Sequence, residues 1–245
     1  MTTEDNYTAL CSLIEEHQRP ELVEPVNGFI TKWKDQLVSA PGSTRKQYHH
    51  AYEGGLLAHI LETYNLAFDM MSSVMERQGK DVSTSFCSEV HTEGLWASCI
   101  LNVALFHDIH KVLDPMGEPQ YVANILKSGS RSDAVPYKVN PSYMSWEGSA
   151  STKLLSTVDD GGCSALTWAL SNGELTVKNG GIKSLMSLAA HAPDVLDNLC
   201  ESELYAIKYH GGAYETSKFD LQGKENLLQI VFHAADMISS RSASE

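Results

Sequence analysis

The sequence predicts an all-α protein: a helical bundle interrupted by one irregular insertion with room for a short β-hairpin. Three observations carry this. Apolar residues recur at steps of three and four through most of the chain. Gly, Pro, Ser and Asp concentrate in one block, at about 112–182. One weakly alternating stretch inside that block, "GELTVKNGG", has the Asn-Gly turn signal of a hairpin.

The elements follow in order. "TALCSLIEEH" sets Leu10, Leu13 and Ile14 at helical spacing, and Pro20 is expected to stop that helix. "VNGFITKWKDQLVSAPGS" reads as a short helix closed by Pro41 and Gly42. From Gly55 onward, Leu56, Leu57, Ile60, Leu61, Tyr64, Phe68 and Met71 form the stripe of an amphipathic helix, which "SSVMERQGKDVSTS" extends and ends. Gly54 and Gly55 stand at its start, where the missing Cβ allows a tight approach. "SEVHTEGLWASCILNVALFH", Ser88 to His107, is apolar on most sides, as a buried central helix is. Helical spacing returns at "IKSLMSLAAHAPDVL", at "CESELYAIKYH" and at "KENLLQIVFHAADMISSR". The apolar residues of the insertion are too scattered for a core of their own. Residues 1–245 therefore read as a single domain with 112–182 as an insertion within it, a candidate lid or wall of a site. The chain has no internal repeat and no low-complexity tract.

Composition narrows the function. Hydrophobic residues make up 42% and charged residues 20%, the balance of a globular protein. Lys plus Arg number 18 against 31 Asp plus Glu, a formal charge of −13. Affinity for nucleic acid comes mainly from Lys and Arg displacing counterions, so this charge disfavours a phosphate backbone and an anionic membrane surface. A small phosphorylated substrate stays open, because a bound metal reverses the local sign. Five cysteines form no CxxC pair, which fits free thiols in a reducing cytoplasm. The start, MTTEDNY, is acidic and polar rather than signal-like, and no stretch nears the roughly 20 apolar residues of a membrane span. The expected location is cytoplasmic, and the composition is compatible with a monomer or an oligomer.

Three places carry candidate chemistry. "ALFHDIHK" sets His107 beside Asp108 at the end of the buried helix. Neighbouring helical residues point about 100° apart, yet both can reach an ion lying over the helix end. An imidazole with a carboxylate suits Mn, Fe, Co, Ni or Zn. The plainer alternative is a solvated polar pair, with the histidine at the negative end of the helix dipole. "VFHAADMISS" surrounds Asp236 with apolar residues, where a carboxylate is costly unless paired or bound to a cation. The alternative there is an Asp on the solvent face. His59 lies three residues after Leu56 in the first strong helix, and its alternative is a core histidine bonded to a carbonyl.

Taken together, His59, then His107-Asp108, then Asp236, each on its own apolar helix, resemble the HD superfamily of metal-dependent phosphohydrolases, whose signature is H…HD…D. "HHAYEGGLLAH" looks like the HHAYxGGLLEH stretch of one branch, and "ALFHDIHKV" like that branch's LLHDIGK. "ELYAIKYHGGAY" resembles its E..AI..H.G.Y segment and "LLQIVFHAADMISSR" its closing LL.HAAD. The resemblance covers about 45–112 and about 182–241 and implies an all-α bundle. It implies that His59, His107, Asp108 and Asp236 ligate a divalent ion (Mn, Fe, Co, Ni, Zn or Mg). Many members with HDIGK bind two ions through further histidines. His210 matches one of these, and His191 in "LAAHAPD" is a candidate for another. Some relatives carry GHGEKS, for which "WEGSAS" or "NGGIKS" would stand here, neither with its histidine. Glu147 would then be the substitute ligand. His110 replaces the glycine of HDIGK and reads either as an added imidazole near the site or as a surface residue. Lys111 stands where nucleotidase-type members carry a Glu, and suits holding a phosphate as a point charge. His49, His50 and His233 lie near the motifs, as candidates to brace ligands or touch substrate.

The resemblance implies hydrolysis of a phosphoester or phosphoanhydride by metal-activated water. Asp108 would be shared between ions where two bind, and Lys111, with His210, would offset charge on the phosphate. The acidic chain, without an OB-type module, favours a nucleotide or similar small molecule over a polymer. Tyr121, Tyr137, Tyr143, Trp146 and Trp168 of the insertion read either as stacking partners for a base or as its own packing. Two alternatives stand beside this. One is a 3′–5′ exonuclease or phosphodiesterase acting on nucleic acid or a cyclic nucleotide, since the HHAY…GGL branch includes nucleases fused to an OB domain. The other is a non-catalytic module that retains metal or nucleotide, against which the complete H…HD…D set speaks.

Overall fold

The structure, a computed structural model, describes residues 2–46, 50–78, 95–143, 180–212 and 225–241. These form nine α-helices and one two-stranded sheet, the all-α fold with a short hairpin that the apolar periodicity predicts. None of the described helices is long and apolar enough to cross a membrane.

Helix α1 (Thr3–His17) opens with a reciprocal cap. The Thr2 hydroxyl accepts from the Asp5 N–H, and the Asp5 carboxylate accepts from the Thr2 N–H. The sequence reads one short helix next, but the structure has two, α2 (Pro20–Lys32) and α3 (Lys34–Ser39). Pro20 does more than end α1: it opens α2 at a first-turn position, where its missing N–H is not needed. The division falls at Trp33, whose backbone leaves the helical region (φ −108, ψ 21) while its indole packs on His191.

Helix α4 (Gly55–Gln78) is the axis of the bundle and packs against α1, α5 (Leu95–Phe106) and α9 (Leu227–Ser239). Every residue of α5 from Ala97 to Phe106 is buried, as its all-round apolar surface predicts. The expected start of that helix, 88–94, lies outside the described residues. Helices α6 (Gly180–His191), α7 (Pro193–Asp197) and α8 (Glu201–Lys208) complete the bundle, with α8 against α5, α6 and α9. Ile60, Tyr64, Ile100, Leu185, Ile207 and Phe232 belong to one continuous buried cluster, so the apolar stripes read from the sequence all face the same interior.

Strand β1 (Tyr121–Ala123) pairs antiparallel with β2 (Tyr137–Val139), Tyr121 opposite Val139 and Ala123 opposite Tyr137. The sheet falls inside the expected insertion but not at "GELTVKNGG". Residues 173–179 of that stretch lie outside the described residues, while Gly180 and Gly181 open α6. His49, Trp146, Glu147 and Trp168 also lie outside them.

A buried ion pair locks the bundle near the α1–α2 corner. Arg19 donates to both oxygens of Glu203, each at 2.7 Å, and to the Asn198 carbonyl at 2.6 Å. Asn102 Nδ2 and the Cys200 N–H also donate to Glu203, each at 2.7 Å. Burial alone would lower the Arg19 pKa, but Glu203 holds it above its ordinary value. Desolvating two charges costs several kcal/mol per ion, on the order that only such a satisfied network offsets. The network ties the start of α2 to α5 and α8, whose C-terminal ends carry site residues.

Candidate metal centre

Three helices bring three acceptor atoms together. His59 sits in the second turn of α4, His107 directly follows α5, and Asp236 lies in the last turn of α9. His59 Nε2 is 3.2 Å from His107 Nε2 and 3.1 Å from Asp236 Oδ1, and His107 Nε2 is 4.0 Å from Asp236 Oδ1. Asp108 completes the expected set at its edge: its Oδ2 is 3.4 Å from His107 Nε2 and 3.9 Å from His59 Nε2. His210, just past α8, brings its Nε2 to 3.9 Å from Asp108 Oδ1.

The far side of each ring fixes the tautomer. His107 Nδ1 donates to the Ala104 carbonyl at 2.9 Å, and His210 Nδ1 donates to the Ile207 carbonyl at 2.8 Å. His59 Nδ1 lies 2.8 Å from the Ser239 hydroxyl, which itself donates to Glu62 at 3.0 Å, so His59 Nδ1 is the donor. In the neutral rings the lone pair is therefore on Nε2, toward the centre. Outward N–H bonds of this kind orient metal-binding imidazoles.

Electrostatics keep the donors in binding form. Burial pushes His107 down to about 4, outweighing the neighbouring carboxylates, so the ring is neutral at pH 7. Burial would raise both aspartates. The Lys111 ammonium beside Asp108, and the His59 ring 3.1 Å from Asp236 with the other imidazoles around it, hold both carboxyls below their ordinary value. Lys111 Nζ donates to Asp108 Oδ2 at 2.6 Å and to the Gly42 carbonyl at 3.0 Å. Burial would lower its pKa, but Asp108 raises it above 10.5.

The turn before α4 is held by close backbone approach. Gly54 has φ +75, and a Cβ on Gly55 would collide with the His50 carbonyl oxygen, so glycine is required there. His50, itself at φ 55, sets its Nε2 3.0 Å from Glu62 and its ring 5.3 Å from that of His59.

The remaining histidines divide. His110 is buried rather than on the surface. Its Nδ1 meets the Ser184 hydroxyl at 2.9 Å, and that hydroxyl donates to the His107 carbonyl at 2.6 Å. His233 Nδ1 donates to the His210 carbonyl at 2.6 Å and so braces a neighbour of the cluster. His191 does not join them: it ends α6 with Nε2 on the Asp114 carbonyl at 2.8 Å and its ring 5.0 Å from Trp33. Of the aromatics, Tyr121 reaches the site, Tyr137 is buried beside Arg131, and Tyr143 packs on the core.

Glu62, Ser184 and Ser239 were not among the residues the motifs single out. Two had a signal: Glu62 and Ser239 lie three residues after His59 and Asp236, the helical spacing that returns to the same face.

A cavity of about 440 Å³ opens beside the cluster, with Asp108, Lys111, His210 and Asp236 in its wall. The donor set fits a first-row divalent ion: buried imidazole nitrogens with carboxylate oxygens, each held from behind. Cys99, Cys200 and Glu203 also lie within 4.8 Å of one another, but Arg19 and Asn102 occupy that carboxylate, and the site is an ion pair. No family model matches the chain, and no curated protein or solved structure matches it either.

Proposed function

We propose that the chain is a metal-dependent phosphohydrolase of the HD type, acting on a phosphoester or phosphoanhydride of a nucleotide or similar small molecule. The convergence of His59, His107 and Asp236 acceptors from three helices supports this most directly, as a buried group that could hold a metal ion. His59, His107, Asp108 and Asp236 would hold one divalent ion, and His210 would serve a second. A bound ion of this class polarises a phosphoryl oxygen and lowers the pKa of water.

The chain's own groups supply the rest. Lys111 spends two of its three N–H donors on Asp108 and Gly42, leaving the third for a phosphoryl oxygen. Asp108 stays ionised beside it. His59 and His107 are fully buried, and burial strengthens each electrostatic contact they make. In the reaction a water oxygen bonds to phosphorus, the bond from phosphorus to the leaving oxygen breaks, and that oxygen takes up a proton.

Elemental analysis with a phosphate-release assay tests the reading. Mn-loaded protein should release phosphate from a nucleotide, and Asp108→Ala should lose at least about 100-fold, the scale of one removed electrostatic stabiliser. A loaded wild type inert toward every phosphate ester, or equal turnover after chelation, would overturn it.

A further inference from the structure

We propose that Gln120 is a specificity-determining residue: its side-chain oxygen accepts a hydrogen bond from an N–H or O–H on the non-phosphate part of the substrate. This rests on the phosphohydrolase reading above and narrows its substrate class to phosphates whose sugar or base carries that donor.

One unsatisfied atom makes the case. Gln120 lines the cavity of about 440 Å³ that has Asp108, Lys111 and Asp236 in its wall. Its Oε1 is buried and has no hydrogen-bond partner among the described residues. A buried acceptor without a donor is costly, and few persist in a folded protein without a reason. The cavity has the size of a small-molecule site, and a molecule bound there supplies the donor.

The position is held from both sides. The Gln120 N–H donates to the Lys111 carbonyl at 3.1 Å, and the Gln120 carbonyl accepts from the Asn140 N–H at 2.9 Å. Asn140 is buried, and its Nδ2 donates to the Pro119 carbonyl at 3.0 Å and to Glu118 at 3.2 Å. Lys111 in turn donates to Asp108. Gln120 is thus fastened to the His107-Asp108 segment on one side and to the insertion, just past β2, on the other. An acceptor on so braced a backbone stands in place before substrate arrives, so its hydrogen bond carries little ordering cost.

The chemistry of the atom fixes what it meets. A carboxamide oxygen accepts only. An ionised phosphate offers no donor, so the partner lies outside the phosphate. In a nucleotide, a sugar hydroxyl or a base N–H supplies it. A site built to bond such a group rejects the analogue lacking it far more sharply than an apolar wall rejects an extra methylene.

The test measures kcat/KM of the Mn-loaded full chain on whichever nucleotide of a ribonucleotide panel it uses best. Three analogues follow: the 2′-deoxy, the 3′-deoxy, and one whose base lacks N–H donors. At least one should be used about tenfold less well, as for one lost buried hydrogen bond, and that analogue tells sugar from base. Gln120→Met keeps the side-chain length and removes the acceptor. It should lower kcat/KM for the parent about tenfold and leave the disfavoured analogue within about twofold, erasing the preference. Gln120→Glu keeps an acceptor and should keep the preference. Equal use of all three analogues by wild type would assign Oε1 to water and overturn the proposal. Gln120→Met lowering parent and analogue alike would also overturn it, since a merely structural role does that. If no nucleotide is hydrolysed, the phosphohydrolase reading fails, and calorimetry with the same nucleotides still reads Gln120. Parent binding about tenfold tighter than one analogue, with the difference lost in Gln120→Met, supports the proposal; equal binding or none overturns it.

Discussion

His59 Nε2 and His107 Nε2 face each other at 3.2 Å. Both rings give their Nδ1 hydrogen to an outside acceptor, Ser239 for one and Ala104 for the other. Two nitrogen lone pairs and the Asp236 carboxylate thus crowd one buried point, and like polarity repels there. Only a proton or a cation between them relieves the contact.

Metal should stabilise the fold. Mn²⁺ at about 100 times its dissociation constant would add roughly 2.7 kcal/mol, by mass action on the folded state alone. Calorimetric melts with and without chelator check this: the melting temperature should rise with Mn²⁺ in wild type and not in Asp236→Ala. An equal rise in both would place the binding elsewhere.

The chelated protein should weaken in acid. Burial depresses His107 from 6.5 to about 4 and holds His110 well below 6.5. The unfolded chain therefore takes up these protons at higher pH than the folded one. The stability is full above 6.5 and is lost as pH falls toward 4, by roughly 3 kcal/mol for His107 alone. The two aspartates, also depressed, continue the loss in the same direction below 3.8. Urea unfolding at pH 7, 5.5 and 4.5 measures it; a flat or rising profile would contradict the neutral buried imidazole.

Ser239→Ala should cost metal affinity with the fold intact. It removes the group that receives the His59 Nδ1 hydrogen and passes the contact to Glu62. Such outer partners are worth about 10–100-fold in affinity. Chelator competition would read the loss, and unchanged affinity would make Ser239 a bystander.

Glu203→Gln should behave in the opposite way. Removing one charge of the buried pair leaves Arg19 uncompensated, at a cost of about 3–5 kcal/mol in denaturant unfolding. Metal stoichiometry of the folded fraction should hold at the wild-type value. A loss under about 1 kcal/mol would mean that solvent reaches the pair.

These contrasts show what the sequence displays and what it hides. Helices α4 and α9 are legible because each writes its burial into a local stripe, and α5 because it is apolar on nearly every side. Asp236 stands out because a carboxylate among apolar residues needs a partner, and His59 only through its order with His107-Asp108 and Asp236. Arg19 and Glu203 stood out in neither way, since 184 positions separate them and only the fold joins them. His191 and His210 look alike in sequence, both near the end of a helix. The difference is placement: α6 has 12 residues and runs about 18 Å, its first turns line the cavity, and His191 is its last residue. The break at Trp33 is likewise tertiary, set where the indole packs on that same histidine.

The most direct measurement is Mn²⁺ binding followed by electron paramagnetic resonance, with nitrogen couplings resolved by pulsed methods. The account predicts at least one ion per chain coupled to imidazole nitrogen, with both signals lost in His59→Ala and Asp236→Ala. A chain that binds no ion, or one whose bound ion shows no nitrogen coupling and ignores both substitutions, would contradict it.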